Sequence, residues 1–193
     1  MATTAASYPV TFDVQYPQEL SRWLIFVKWL LAIPHYIILY LLGIASSIVT
    51  IIAFFAILFT KSYPRSLFDF VVNVNRWSAN VGAYALLMRD EYPPFSMDAG
   101  EYAVTYDVQY PQELSRWMIF VKWLLVLPNA IVLLLLLLVA YLVTVIAWFA
   151  ILFTKKYPES LFRFVVGVLR WQQRVNAYTS LMTDRYPPFS MEA

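Results

Sequence analysis

The stretch Tyr16-Pro17-Gln18-Glu19-Leu20-Ser21-Arg22-Trp23 returns unchanged, 94 residues later, as Tyr110-Pro111-Gln112-Glu113-Leu114-Ser115-Arg116-Trp117. Working outward from it, the same shift aligns residues 8–97 with residues 102–191 without a gap, and 60 of the 90 positions are identical. Self-similarity at a fixed period is the signature of a repeat architecture. The chain is therefore one module written twice, residues 1–97 and residues 98–193, joined at Asp98-Ala99-Gly100-Glu101.

Composition sets the class. Of the 193 residues, 61% are hydrophobic and 13% charged, against roughly 45–50% and about 25% in soluble domains. A chain this small cannot hide so much apolar surface, because even a 150-residue domain buries only about 70% of what its unfolded chain exposes. A soluble enzyme and a disordered chain are both excluded by that figure. Fourteen basic against twelve acidic residues give no concentrated basic surface for nucleic acid. The absence of cysteine excludes disulfides and thiolate metal sites. Residues 1–8 have neither a basic residue nor an apolar core, so they do not read as a signal peptide.

Each module has three parts. Val10, Phe12, Val14 and Tyr16 alternate with Thr11, Asp13 and Gln15, and the copy alternates likewise from Tyr102 to Tyr110. Period two with β-branched and aromatic residues predicts a half-buried strand. A lone strand is unstable, so its mate is its own copy. Next come apolar blocks of 36 residues, 24–59 and 118–153. As one straight helix each would measure about 54 Å, whereas a span needs about 20 residues. Basic residues at both ends of each block can share one side of a membrane only if the block folds back, and only then can the two strands meet. The reading favours a helical hairpin in each block, turning at Gly43-Ile44-Ala45-Ser46-Ser47 in the first. The alternative is an interfacial helix before Pro34 or Pro128, followed by one long tilted span. The third part, 66–88 and 160–182, is amphipathic: Leu67, Phe70, Val71, Val74, Trp77, Val81, Tyr84 and Met88 share a face opposite Asp69, Asn73, Arg76 and Asn80. Ser66 is its expected N-cap. This helix is expected in the headgroup plane or over the strands. The fold class is thus a mainly α integral membrane protein with a tandem pseudo-symmetric repeat.

Candidate sites are few. Arg163, Arg170 and Arg174 stand within about 40° on one helix face and are lipid-contact candidates, since a basic face attracts anionic headgroups. Lys28 and Lys122 are the only charges inside the blocks; they either contact a headgroup at depth or snorkel out. Asp13 and Asp107 keep the strands' polar face solvated or pair with Arg22 and Arg116. His35 is the only histidine; its copy is Asn129, so a hydrogen-bonded structural role outweighs a functional one. Trp23, Trp29, Trp117 and Trp123 beside basic residues form an interfacial belt. No catalytic, cofactor-binding or metal motif is present.

Leu31-Ala32-Ile33-Pro34-His35, Ala53-Phe54-Phe55-Ala56-Ile57-Leu58-Phe59-Thr60, Tyr63-Pro64, Arg76-Trp77 and Asp90-Glu91-Tyr92-Pro93-Pro94-Phe95-Ser96 resemble a family of small bacterial membrane proteins that carry a domain of unknown function in single or tandem copies. The second copy departs from that pattern at Asn129, Arg163 and Arg185. The resemblance implies a bacterial inner membrane and no catalytic residues; the basic flanks of the blocks put the polar segments on the cytoplasmic side. The expected function is non-enzymatic. The chain would be an accessory or scaffold subunit of a membrane complex, or a self-associating module, with membrane lipids and a membrane-protein partner or second copy as its contacts and no cofactor. The alternative is a membrane-shaping protein that binds anionic lipid. A small transporter or channel is the weaker reading, because polar lining residues are lacking.

Overall fold

The structure is a computed structural model that describes residues 8–192; of the leader reading over residues 1–8, all but Tyr8 lies outside the described residues. The alternation in each module becomes a strand, β1 (Val10–Val14) and β2 (Val104–Val108). They pair antiparallel with Phe12 opposite Tyr106, two positions that the 94-residue shift also equates. A pseudo-two-fold axis therefore passes through that pair. Val10, Phe12, Val14, Val104, Tyr106 and Val108 are buried, whereas Thr11, Asp13, Thr105 and Asp107 face outward.

Each apolar block becomes two helices, α1 (Leu24–Leu31) and α2 (Ile33–Thr60), repeated below as α4 (Met118–Leu125) and α5 (Leu127–Thr154). The break falls at Ala32 and Val126, just before Pro34 and Pro128, where proline has no N–H to continue the ladder. The favoured hairpin is not formed: α2 runs unbroken through Gly43 and Ser47. Ser47 Oγ and Thr50 Oγ1 donate back to the carbonyls of Gly43 and Ser46, both at 2.9 Å. A glycine inside a helix costs about 1 kcal/mol, less than the several kcal/mol of each backbone group left unpaired in apolar surroundings. In α5 the matching stretch holds no turn residue at all. Lys61 and Lys155, at φ 59, end the two helices by turning the chain back.

The amphipathic segments become α3 (Arg65–Ala85) and α6 (Glu159–Thr179). Ser66 lies inside the first turn and caps nothing; Pro64 holds the flanking position. Of the two expected places, each helix takes the one over a strand. Phe68, Val71, Val74, Trp77, Val81 and Tyr84 are buried, but so are Val72, Ala79, Asn80 and Ala83. The helix is enclosed because it packs between α2 on one side and β2 on the other, and α6 packs between α5 and β1. Each strand thus lies on the other module's helix. The chain forms three layers: strand pair, α3 with α6, and an outer layer of α1, α2, α4 and α5.

Further crossed contacts lock the two halves. The Leu20 N–H donates to Lys155 O and the Leu114 N–H to Lys61 O, both at 2.8 Å. Arg22 donates to Phe153 O and Arg116 to Phe59 O, both at 3.0 Å, placing a cation at each long helix's C-terminal, partly negative end.

The outer layer is left uncovered. Both α2, taken together with α1, and α5 are long and apolar enough to span a membrane, and only 11% and 17% of their most apolar windows are buried. A core helix of a soluble domain would be mostly buried.

Because each strand needs the other module's strand beside it and the other module's helix beneath it, residues 98–193 expressed alone in mild detergent are expected to form a two-fold dimer. Sedimentation showing a folded monomer would contradict the crossed architecture.

Candidate functional site

The charged groups that α1 and α4 carry are not at the surface. Lys28 is 1% exposed. Its Nζ lies 2.8 Å from Asp90 Oδ1, donates to Arg89 O at 2.7 Å and stands 5.2 Å over the Tyr84 ring. Lys122 repeats this with Asp184 Oδ1 at 2.8 Å, Thr183 O at 2.8 Å and Tyr178 at 5.1 Å. The aspartates also hold the chain that leads into each short helix. Asp90 Oδ2 accepts the Ser21 N–H, and Asp184 Oδ2 accepts the Ser115 N–H at 2.6 Å. Tyr92 and Tyr186 then donate to Leu31 O and Leu125 O, each at 3.1 Å. The Asp-x-Tyr-Pro-Pro-Phe-Ser segment therefore clamps the short helix at both ends. Neither lysine snorkels out to the surface; a carboxylate and a carbonyl meet each ammonium.

His35 is fully buried. Its Nδ1 accepts the Trp77 indole N–H at 3.1 Å, and its ring stacks on Phe95 at 4.0 Å. In the second module Asn129 Oδ1 accepts the Trp171 indole N–H at 2.8 Å, and its amide donates to Pro187 O at 3.3 Å. An imidazole and an amide do the same work, which is to satisfy a buried indole.

The three arginines are separated by their partners. Arg170 donates to Phe12 O at 2.9 Å and Met191 O at 3.0 Å, and pairs with Asp13 at 2.9 Å. Arg174 is 3% exposed, donates to Ser190 O at 3.2 Å and to Glu192 O, and lies 5.4 Å from the Tyr8 ring; burial pulls its pKa down from the usual guanidinium value. Those two hold strand and C-terminal segment in place. Arg163 alone is open, at 77%, and pairs with Glu159 one turn away. Asp13 and Asp107 thus meet Arg170 and Arg76 rather than Arg22 and Arg116. Trp23 and Trp117 are 80% exposed, next to Arg22 and Arg116.

Several clefts open where the modules meet, and two of them border the long helices. One, of about 270 Å³, is lined by Ile25, Lys28, Trp29, Tyr141, Val145 and Trp148. The other, of about 240 Å³, is polar, with Ser46, Ser47, Thr50, Asn75, Ser78 and Asn176 in its wall. Among the described residues no group of three His, Cys, Asp or Glu side chains converges on a metal position.

Residues 22–97 and 116–191 each match the family described as a domain of unknown function, DUF4389. The chain belongs to the DUF4389 family, in two copies. No curated protein and no solved structure matches it at a significant level. Each match to DUF4389 starts after the strand, so β1 and β2 precede the family domain while the Lys28–Asp90 and Lys122–Asp184 pairs lie within it.

The partnership of Lys28 with Asp90 escapes a reading of the sequence because the two are 62 positions apart. The one available signal is that both members recur in the second copy.

Removing one partner of a buried pair strands the other charge, at about 3–5 kcal/mol, whereas an apolar pair of like volume is often neutral. Asp90→Ala is expected to destabilise on that scale, with most of the loss recovered in Lys28→Met/Asp90→Leu, as read by denaturant unfolding in detergent. An unfolding midpoint unmoved by Asp90→Ala would contradict the clamp.

Burial pushes the Tyr63 and Tyr157 hydroxyls up from near 10 to about 12. Each is buried with no hydrogen-bond partner of good geometry, although Thr50 and Thr144 lie beside them. The folded state keeps the proton where the unfolded chain has lost it, so stability is full below pH 10 and falls between pH 10 and about 12. Tyr63→Phe/Tyr157→Phe is expected to flatten that decline in alkaline unfolding curves while changing neutral-pH stability by less than about 1 kcal/mol per site.

Proposed function

We propose that this DUF4389 protein is a non-enzymatic membrane protein that acts by binding, as an accessory or scaffold subunit of a membrane complex or as a self-associating module. The observation that carries the reading is the outer layer. Its four helices hold only two charged side chains, Lys28 and Lys122, and both are turned inward onto aspartates, while Ile37, Leu41, Ile51, Leu134, Leu138 and Leu142 are each about half or more exposed. A contiguous apolar face of this extent marks a membrane or partner surface. The exposed tryptophans beside Arg22 and Arg116 fit the level of lipid headgroups. The family resemblance and the flanking cations support a bacterial inner membrane with the polar layers toward the cytoplasm.

A second reading, membrane shaping, draws on the breadth of the apolar layer on one side of the molecule. It would use Arg163, the one open member of the arginine cluster, for anionic lipid.

In flotation with preformed vesicles the protein is expected to rise with the lipid and to resist high-salt washing. In mild detergent it is expected to run as an oligomer or with a co-purifying chain. A stable, clean monomer would overturn the accessory reading, and high-density vesicles that keep their curvature would overturn the shaping one.

A further inference from the structure

We propose that α2 and α5 lie along the membrane rather than across it, so that the protein sits in one leaflet with its strand pair facing water. This rests on the membrane reading above and adds an orientation to it.

The directions of the three layers carry the inference. After the turn at Lys61, α3 runs back along α2: Ser46 and Thr50 face Val71 and Asn75 across the polar cleft, and His35 reaches Trp77. β2 in turn runs back along α3. Arg76 donates to Tyr106 O at 3.1 Å, and the Tyr110 ring meets Phe68 at 5.0 Å. The second module repeats both contacts, with Arg170 on Phe12 O at 2.9 Å and Tyr16 on Phe162 at 5.0 Å. Strand, amphipathic helix and apolar helix are therefore stacked side by side, and the strand pair lies over the middle of the long helices.

A crossing helix would put Ser46 near the bilayer centre, about 15 Å from water on either side. The strand pair would then lie at the same depth. Its outer face carries Asp13 and Asp107, whose side chains are 64% and 68% exposed. No further strand pairs with either of its edges, where an arginine meets one carbonyl of each strand. Open sheet edges do not occur in hydrocarbon, and a charge at the centre of a spanning segment costs at least about 2.5–3.5 kcal/mol.

Laid flat, the same molecule meets no such conflict. The pseudo-two-fold axis stands along the membrane normal, so that α2 matches α5 in depth and α1 matches α4. Arg65, Asp69, Glu159 and Arg163, each at least 46% exposed, belong to the layer above. The length of α2, about 42 Å at 1.5 Å per residue, no longer has to match a hydrocarbon core of about 30 Å. One long unbroken helix in each block also becomes compatible with both modules facing the same way.

The chain has no cysteine, so single nitroxide labels can be placed at Ile37→Cys, Ile48→Cys and Phe59→Cys along the open side of α2, and at Thr11→Cys and Thr105→Cys on the outer strand face. In vesicles of phosphatidylcholine and phosphatidylglycerol, oxygen and a water-soluble nickel relaxant report depth. The expected result is one shallow depth for the three helix sites and full access of the nickel reagent at both strand sites. A depth profile that peaks at Ile48, with Thr11 and Thr105 shielded, would overturn the in-plane placement while leaving the membrane reading intact. Protein that fails to float with the vesicles would overturn both.

Discussion

A two-stranded ribbon with one apolar face is not stable until something covers that face, and β1 and β2 are covered by α6 and α3, each from the opposite module. Phe12 and Tyr106 sit at the centre of the register, so the pairing fixes the axis about which everything else is repeated. The strands carry Arg170 and Arg76 against their carbonyls. That bonding helps to fix how each amphipathic helix is turned, with Phe68 and Phe162 against the ribbon's tyrosines and the opposite side left to the long helices. The position of the apolar layer, on the far side of the molecule from the strands, follows from this order of stacking.

Within the apolar layer the buried lysines are the other fixed points. An unpaired ammonium would not stay in such surroundings. Lys28 and Lys122 do, because a carboxylate and a backbone carbonyl meet each of them. The clamp also sets the angle at which α1 joins α2, since Asp90 holds the start of α1 and Tyr92 holds its last carbonyl. In the indole pocket beside it, His35 and Asn129 show how far the modules have drifted apart while keeping one hydrogen bond. The arginines of α6 show the reverse: Asn80 and Arg174 are both buried, but only the longer side chain reaches the backbone of the C-terminal segment.

Much of this is legible from residue order. The duplication, the strand alternation and the antiparallel pairing of the copies follow from period and spacing, because period-two side chains commit to one face whatever they pack against. The amphipathic pattern of 66–88 is also legible, but its location is not. A hydrophobic stripe records that one face is buried; it does not say whether the opposite face meets water, headgroups or the carbonyls of a strand. The hairpin expected in 24–59 fails for a related reason. Glycine and serine favour a turn only where freed backbone groups can find partners, and in an apolar layer the helix keeps its own.

By itself, then, the sequence determined the mainly helical two-module plan, the two long apolar segments and the mating of the two strands, since hydrophobic content and periodicity are properties of local order. Tertiary structure alone decided which module's helix lies under which strand, that Lys28 and Lys122 are held by aspartates more than sixty positions away, and that Arg170 and Arg174 serve the fold. These depend on stacking in three layers, and stacking brings together side chains whose separation along the chain carries no trace of their contact.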